Sequence, residues 1–487
     1  MLASLRRKAA NWISPDGPSA NFSGASQNRL VRDWVTSCLS ADAAIRENMY
    51  LLRGRSRELA DNNSWVSRYA GLGSSNVVGA RGIALQMRTD SRDVNRATET
   101  AWKLWGRQAT DDLRMSWVDV EKLADRTRRI DGECFLRKIP GADNDYGFAL
   151  QFIDADQLDE MFNRPASATE NEIRMGVEVD RQNRPVAYHF WTGQRRDIHY
   201  SSNERQRIPA DQIIHYYRQL RPNQTRGLPD LTPVMYDLNM LRGYVEAELV
   251  AARLAAAKSG FFESELSDAP VMNPDGTAPP PIQMNAEPGL WQILPAGMKF
   301  NGVDPTHPTN AFPDFIRAML QSIASGLNIS YASLTSDLKQ SNFASSRVGL
   351  LSERDMWRAD QTFAVDHLSR PVFDTWAPMA WVSGQLDTSV SPSAYVANAT
   401  WQPRGWPWVD PLKDVQAAVI AKNNRLSSTQ LIVAANGMDM QDIYEDHEKE
   451  LEISQSTGVP LVGGEVEVED SKDEFEAHDD ALALMGE

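Results

Sequence analysis

The residues best suited to chemistry are seven histidines (His189, His199, His215, His307, His367, His447 and His478) and two cysteines (Cys38 and Cys134). No two histidines stand four apart, as a helical zinc pair requires. Two distant thiols form neither a metal knuckle nor a disulfide framework. A phosphate-cradling loop places Gly directly before its Lys. None of the eleven lysines has one, which excludes a Walker-type motor. Ser336-Asp-Leu-Lys339 spells the Ser-x-x-Lys of penicillin-binding enzymes, but no Lys-Thr-Gly or Ser-Asp-Asn completes it, and chance is the better account. Gly71-Leu-Gly73 has Asn76 where a dinucleotide fingerprint needs its third Gly, and reads as a turn. Asp143-Asn-Asp145 and Asp154-Ala-Asp156 lack the Gly and distal Glu of a calcium loop and read as solvated turns. His189, between Tyr188 and Phe190, reads as structural. Trp102, Trp105, Trp406 and Trp408 read as core and hinge packing rather than base stacking. The expectation is a protein without catalysis, cofactor or metal.

At 487 residues, with 42 % hydrophobic and 24 % charged, the chain has the balance of a globular protein with several cores. No run approaches the ~20 apolar residues of a membrane helix. The basic opening Met1-Leu-Ala-Ser-Leu-Arg6-Arg7-Lys8 lacks the apolar stretch of a secretion signal, so synthesis in a reducing cytoplasm is expected. Charge is uneven: residues 1–226 carry about +5, 227–463 about −12 and 464–487 about −9, within a total of −16. Arg outnumbers Lys 39 to 11, so the positive charge is mostly planar guanidinium suited to fixed ion pairs. An acidic middle repels nucleic acid rather than gripping it.

Positioning falls to an α+β first half followed by long helices. Residues 1–28, rich in Ser, Asn, Gly and Pro, read as a mobile arm. Helical spacing runs from Arg29 to Arg68, ended by Asn62-Asn63, and helices are expected over 92–108 and 115–129. The period then changes to two. Strands are expected over 133–139, 149–153, 174–180 and 186–191, with another over 208–217. Thr232 reads as the cap and Pro233 as the first turn of a long helix. Its stripe Leu238, Leu241, Val245, Leu249, Ala252 and Ala256 recurs at helical spacing until Gly260, a rod of roughly 40 Å. A Pro-rich insert at Pro270–Pro281, anchored by Phe261, Phe262 and Trp291, separates it from a return helix over about 310–327. That helix is expected to bury Phe312, Phe315, Met319, Ile323 and Leu327. Residues 328–340 read as a polar connector and 342–369 as a long helix stopped by Pro371. Trp401–Trp408 reads as an aromatic hinge. Three helices follow: 414–423, one after a Ser427-Ser-Thr-Gln430 capping box and ended by Gly437, and one marked by Met440, Tyr444, His447 and Leu451. An acidic tail closes the chain. A rod pair with a module at its far end builds a wall or a stalk, not a pocket.

Several of these segments resemble, in order, the blocks of the lambda-type tailed-phage portal protein family. They begin with Arg53-Gly-Arg-Ser-Arg-Glu-Leu-Ala-Asp-Asn-Asn63, Asn76-Val-Val-Gly79 and Asp131-Gly-Glu133. Gln151-Phe-Ile-Asp-Ala-Asp-Gln-Leu158, Gly176-Val-Glu-Val-Asp180, Pro185-Val-Ala-Tyr188 and Arg207-Ile-Pro209 continue the series. Gln224-Thr-Arg-Gly-Leu-Pro229, Asn342-Phe-Ala-Ser-Ser-Arg347 and Trp406-Pro-Trp-Val-Asp-Pro-Leu-Lys413 complete it. The resemblance spans roughly residues 29–455. The acidic tail and the Pro270–Pro281 loop match nothing in it.

The resemblance implies an α+β, multidomain portal fold assembled as a ring of twelve around a channel at one capsid vertex of the virion. Its parts would be an arm (1–28), wing (29–225 and 346–404), stem helices (226–260 and 309–327), clip (261–308), tunnel loop (328–345), crown (405–462) and acidic tail (463–487). Stem packing around the ring would fall to Leu238, Leu241, Val245, Leu249, Ala252, Met319 and Ile323. Channel contact with double-stranded DNA would fall to Ser336, Lys339, Gln340, Ser341 and Asn342, and clip docking to Phe261, Phe262 and Trp291. Implied partners are further copies of the chain, the terminase large subunit, a head–tail adaptor, the major capsid protein and scaffold, with no membrane. Two alternatives stand beside this. One is another ring-forming head-completion or adaptor protein, usually shorter and without a stem pair. The other is a packaging-motor (terminase) subunit, against which the missing Gly-Lys loop speaks.

Overall fold

The structure, a computed structural model, describes residues 38–193, 204–256, 260–264, 298–302, 312–337, 343–408 and 410–458. The fold is α+β, and the chain divides into two compact units between which it passes repeatedly. One takes residues 1–64, 127–137 and 152–308; the other takes 65–126, 138–151 and 309–487.

In the first unit, Ser40 caps the helix Ala41–Asn62 by accepting from the Ala43 N–H at 3.2 Å. Asn63 closes that helix, where the sequence expected its end. A four-stranded antiparallel sheet runs Glu172–Arg174, Val177–Val179, Pro185–Trp191 and Arg205–Pro209, in that order. The strand expected over 174–180 is two strands, because Met175 and Gly176 both take positive φ and reverse the chain between them. The single strand expected over 208–217 is also two. Ala210–Gln212 forms one helical turn after Pro209, and Ile213–Tyr217 joins a different sheet, antiparallel to Glu133–Arg137. Phe135, Leu158, Val177, Tyr188, Phe190, Ile208 and Ile213 form the core of this unit. The long helix is Met235–Ala256, 22 residues or roughly 33 Å. It starts later than expected because the Thr232 hydroxyl donates to the Pro229 carbonyl at 2.6 Å instead of capping.

The second unit is built on aromatic packing. Trp102 and Trp105, on the helix Arg92–Trp105, have ring centroids 4.7 Å apart. Trp102 also meets Trp117, Phe373, Trp376 and Trp401 edge-on at 5.0–5.9 Å, a geometry that aligns ring edges with ring faces. Trp401 is thus a half-buried strand residue rather than part of a hinge; it lies on Ala399–Gln402, which pairs antiparallel with Ala84–Met87. Gly71 and Gly73 lie in the helix Ser64–Gly73, not in a turn. Pro371 does not stop the long helix. Phe343–Ala364 passes through a π-helical stretch, Val365–Ser369, into Arg370–Val382, where Pro371 occupies the first turn. Short helix Tyr331–Thr335 interrupts the expected polar connector. Pro411–Asn423, Thr429–Ala435 and Met440–Thr457 end the described chain; the second is capped by Ser428 rather than Ser427.

Candidate channel segments and a buried ion cluster

Of the residues expected to pack the stem, Leu238, Leu241 and Ile323 are buried. Val245, Ala252 and Met319 are half-buried, and Leu249 is exposed along with Tyr236, Met240 and Val250. The stripe is therefore split: Leu238 and Leu241 are core, Val245, Leu249 and Ala252 are not, and apolar side chains the spacing did not single out face outward. Phe315, expected to be buried, is exposed, whereas Leu327 is buried as expected. Ser336 ends the helix Tyr331–Thr335 in the left-handed conformation. Lys339, Gln340, Ser341, Asn342 and Trp291 lie outside the described residues. For Phe261 and Phe262 the described part is the strand Gly260–Ser264, antiparallel to Met298–Gly302.

What sequence reasoning missed lies at the base of the long helix. Gly132 adopts φ +91°, which turns Glu133 inward between two arginines. Arg53 donates to Glu133 at 2.7 Å, and Arg226 Nε donates to both its oxygens at 3.0 and 2.9 Å. His215 Nε2 lies 3.0 Å from Oε2, and the Gly227 N–H donates to the same oxygen at 3.1 Å. Arg53, Glu133 and Arg226 are at most 2 % exposed. Burial alone would raise the Glu133 carboxyl, but Arg226, His215 and Arg53 overcome it and hold it well below the usual carboxylate range. Burial lowers His215 despite the facing Glu133, so the neutral ring donates through Nε2, stacked against Phe135 and Tyr217.

A second layer continues the network. Arg57 grips Asp131 bidentately at 2.8 and 2.7 Å and reaches Asp154 and Asp156 at 3.0 and 2.7 Å. Asp156 also accepts from Arg53 at 2.7 Å. The Asp154-Ala-Asp156 motif, expected as a solvated turn, is a partly exposed turn that is also ion-paired. The turn leading to the long helix is tied at further points. Gln224 donates to the Arg226 carbonyl at 2.8 Å, Asp42 accepts from Thr225 N and Oγ1 at 2.8 and 2.6 Å, and Arg128 reaches Asp230 at 3.2 Å. Arg53, Arg57 and Arg226 each face at least one carboxylate, the condition under which buried ions are tolerated, although Arg53 Nε is buried without an acceptor among the described residues. The cluster ties the segment leading into the helix, and its carboxylates are engaged by arginine. A signal existed, since Arg53, Arg57, Asp131, Glu133, Asp154, Asp156 and Arg226 all fall within the family blocks.

In the second unit, Glu121 is fully buried. It accepts from the Ile83 N–H at 3.1 Å and from Ser369 Oγ at 3.3 Å, and burial pushes its carboxyl up to about 8. Cys134 is buried and Cys38 exposed, both as free thiols. Among the described residues no group of acids, histidines and cysteines is arranged to hold a metal ion, and no helix is long and apolar enough to cross a membrane.

Comparison with known proteins agrees with the ordered blocks. The sequence model described as "Phage portal protein, lambda family" matches residues 27–361. The chain is 32 % identical over 490 residues to the probable portal protein of Halomonas phage phiHAP-1, covering 94 % of this chain and 93 % of that one. It is 22 % identical over 518 residues to portal protein B of Escherichia phage lambda, covering 92 % and 93 %. Among solved structures, a chain from the neck of a native gene transfer agent particle, computed with C12 symmetry, aligns with a TM-score of 0.46 and 13 % identity. That alignment covers 80 % of this chain and 93 % of the other. With a family match over most of its length and a relative at 32 % identity aligned nearly end to end, the chain belongs to the lambda family of phage portal proteins.

Proposed function

We propose that the chain assembles as a closed ring, twelve copies by the family resemblance, at one capsid vertex. Double-stranded DNA enters and leaves through its channel, and terminase and then a head–tail adaptor dock on it. One observation carries the ring. The last three helices, Pro411–Asn423, Thr429–Ala435 and Met440–Thr457, bury no residue in the single chain. Leu412, Ile420, Leu426, Leu431 and Ile453 on and beside them are each at least 60 % exposed. Short helices are marginal in water unless an apolar face is covered, and clustered exposed apolar side chains mark an interface. In a ring each copy meets two neighbours through different surfaces, so helices apolar on more than one side find cover on both. Exposed Tyr236, Met240 and Leu249 call for the same cover along the stem.

Charge supports a channel in which DNA slides. A duplex carries one charge per ~1.7 Å, so a helix of roughly 33 Å faces about 20 phosphates. A basic wall would have to be broken from them at every step; a region of net charge about −12 per copy is not adhesive. Negative-stain images of purified protein should show annular particles with a central opening, and Ile420→Asp with Leu426→Asp should shift mass photometry toward monomers. A monodisperse parent monomer at micromolar concentration overturns the reading.

A further inference from the structure

A cationic niche in the second unit plays no part in the reading above. On the helix Phe343–Ala364, Arg354 and Arg358 stand one turn apart, and with Arg404 they surround one indole. The three guanidinium carbons lie 6.0, 5.6 and 5.7 Å from the centre of the Trp406 ring. Like charges at this helical spacing repel. Among the described residues neither Arg354 nor Arg404 pairs with a carboxylate. Arg354 donates to the Pro407 carbonyl at 3.2 Å and its Nε is buried without an acceptor. Arg404 donates to the carbonyls of Ser75 and Gly405 at 2.6 and 3.3 Å. Nearby acids are engaged: Asp355 accepts from Arg358 and Asp414 from Arg347, each at 2.6 Å. Burial, then Arg358 and Arg404, lowers the Arg354 guanidinium from its ordinary value, and Asp414 opposes them without overcoming them. Three cations held against one indole, with Asp355 on Arg358 the one carboxylate paired directly to them among the described residues, form a receptor for an anion.

We propose that this niche binds carboxylates and that its occupant is the acidic tail of the chain, residues 464–487, from the same copy or from a neighbour. The tail carries ten acids and one Lys. In Glu465-Val-Glu-Val-Glu469 the acids alternate, and alternate side chains of an extended segment share one side at a repeat of ~6.7 Å. Residues one turn apart on a helix repeat at ~6 Å, so successive carboxylates match Arg354 and Arg358. The tail is tethered after Gly458 of the same unit, which raises its local concentration. A duplex would have to approach through a region of net charge about −12, which favours the short peptide over nucleic acid.

Arg358→Lys in the full-length protein keeps the charge and introduces an amine that a zero-length carbodiimide reagent joins to carboxylates. Mass spectrometry is expected to find position 358 linked to an acid between Glu465 and Asp480. A mixture of light and heavy isotope-labelled protein tells links within a chain from links between copies, and either supports the proposal. Converting Glu465, Glu467, Glu469 and Asp470 to their amides should reduce the link about fivefold, and Arg358→Glu should speed amide exchange over 465–476 by a similar factor. An absent link, a link indifferent to those amides, or a DNA duplex captured through Arg358 while the tail stays unlinked would overturn it. Mass photometry on the same samples reports ring formation separately, so failure here and failure of the ring reading are distinguishable.

Discussion

Two buried glutamates are held by opposite means. Glu133 is ionised because two guanidiniums and an imidazole N–H outweigh its burial. Its folded value lies below the ordinary 4.5, so its contribution is full above that pH and is lost as pH falls. Glu133→Gln leaves Arg226 buried without charge compensation and Arg53 with Asp156 alone, and should cost about 3–5 kcal/mol in urea unfolding followed by Trp fluorescence. No cation pairs with Glu121 among the described residues, and its folded value of about 8 lies above the ordinary 4.5. Folding therefore favours the protonated form: its contribution is full below pH 4.5 and is lost as pH rises to about 8. Glu121→Gln should flatten that fall and raise stability at pH 9 by about 1–3 kcal/mol. A variant no more stable than the parent at alkaline pH would contradict the assignment.

Secondary-structure elements are joined here by backbone geometry that few residues tolerate. A Cβ at Gly132 would strike Leu228 and Pro229, and one at Gly227 would strike the Gly132 carbonyl, so the Asp-Gly-Glu and Arg-Gly blocks interlock through two missing side chains. Gly54, mid-helix in the first block, has open space around it. Gly132→Ala should therefore destabilise by more than about 3 kcal/mol, whereas Gly54→Ala should stabilise by about 0.5–1 kcal/mol. Thermal unfolding of the two variants side by side checks both. Helices and strands were legible where apolar spacing was regular, as over Arg92–Trp105 and Pro185–Trp191. Spacing failed where a turn fitted between stretches that both read as strand, at Met175-Gly176 and after Pro209, because alternation does not register a reversal. It also failed at Pro371, because a π-helical stretch places that residue in a first turn.

For the whole molecule, the exposed apolar helices and the uneven charge belong together. The proposed ring covers the first, and the channel it encloses makes use of the second. Within that proposal Lys339 supplies one cation per copy to the tunnel loop. Lys339→Glu should leave annular particles unchanged in negative stain while reducing the DNA packaged or retained in particles. Undiminished DNA content would remove the tunnel loop from the proposal.

Family membership, the α+β succession and the absence of a Gly-Lys phosphate loop follow from the sequence alone, since each depends on residue identity and short-range spacing. The ion cluster does not. Arg53, Glu133, Asp156 and Arg226 lie far apart in the chain, and a carboxylate's partner is set by distance in space. The same holds for Ala84–Met87, whose strand partner Ala399–Gln402 lies near the other end of the described chain. Tertiary structure alone decided which positions of the long helix are core and which face outward, because periodicity defines a stripe but not how much of it the rest of the chain covers.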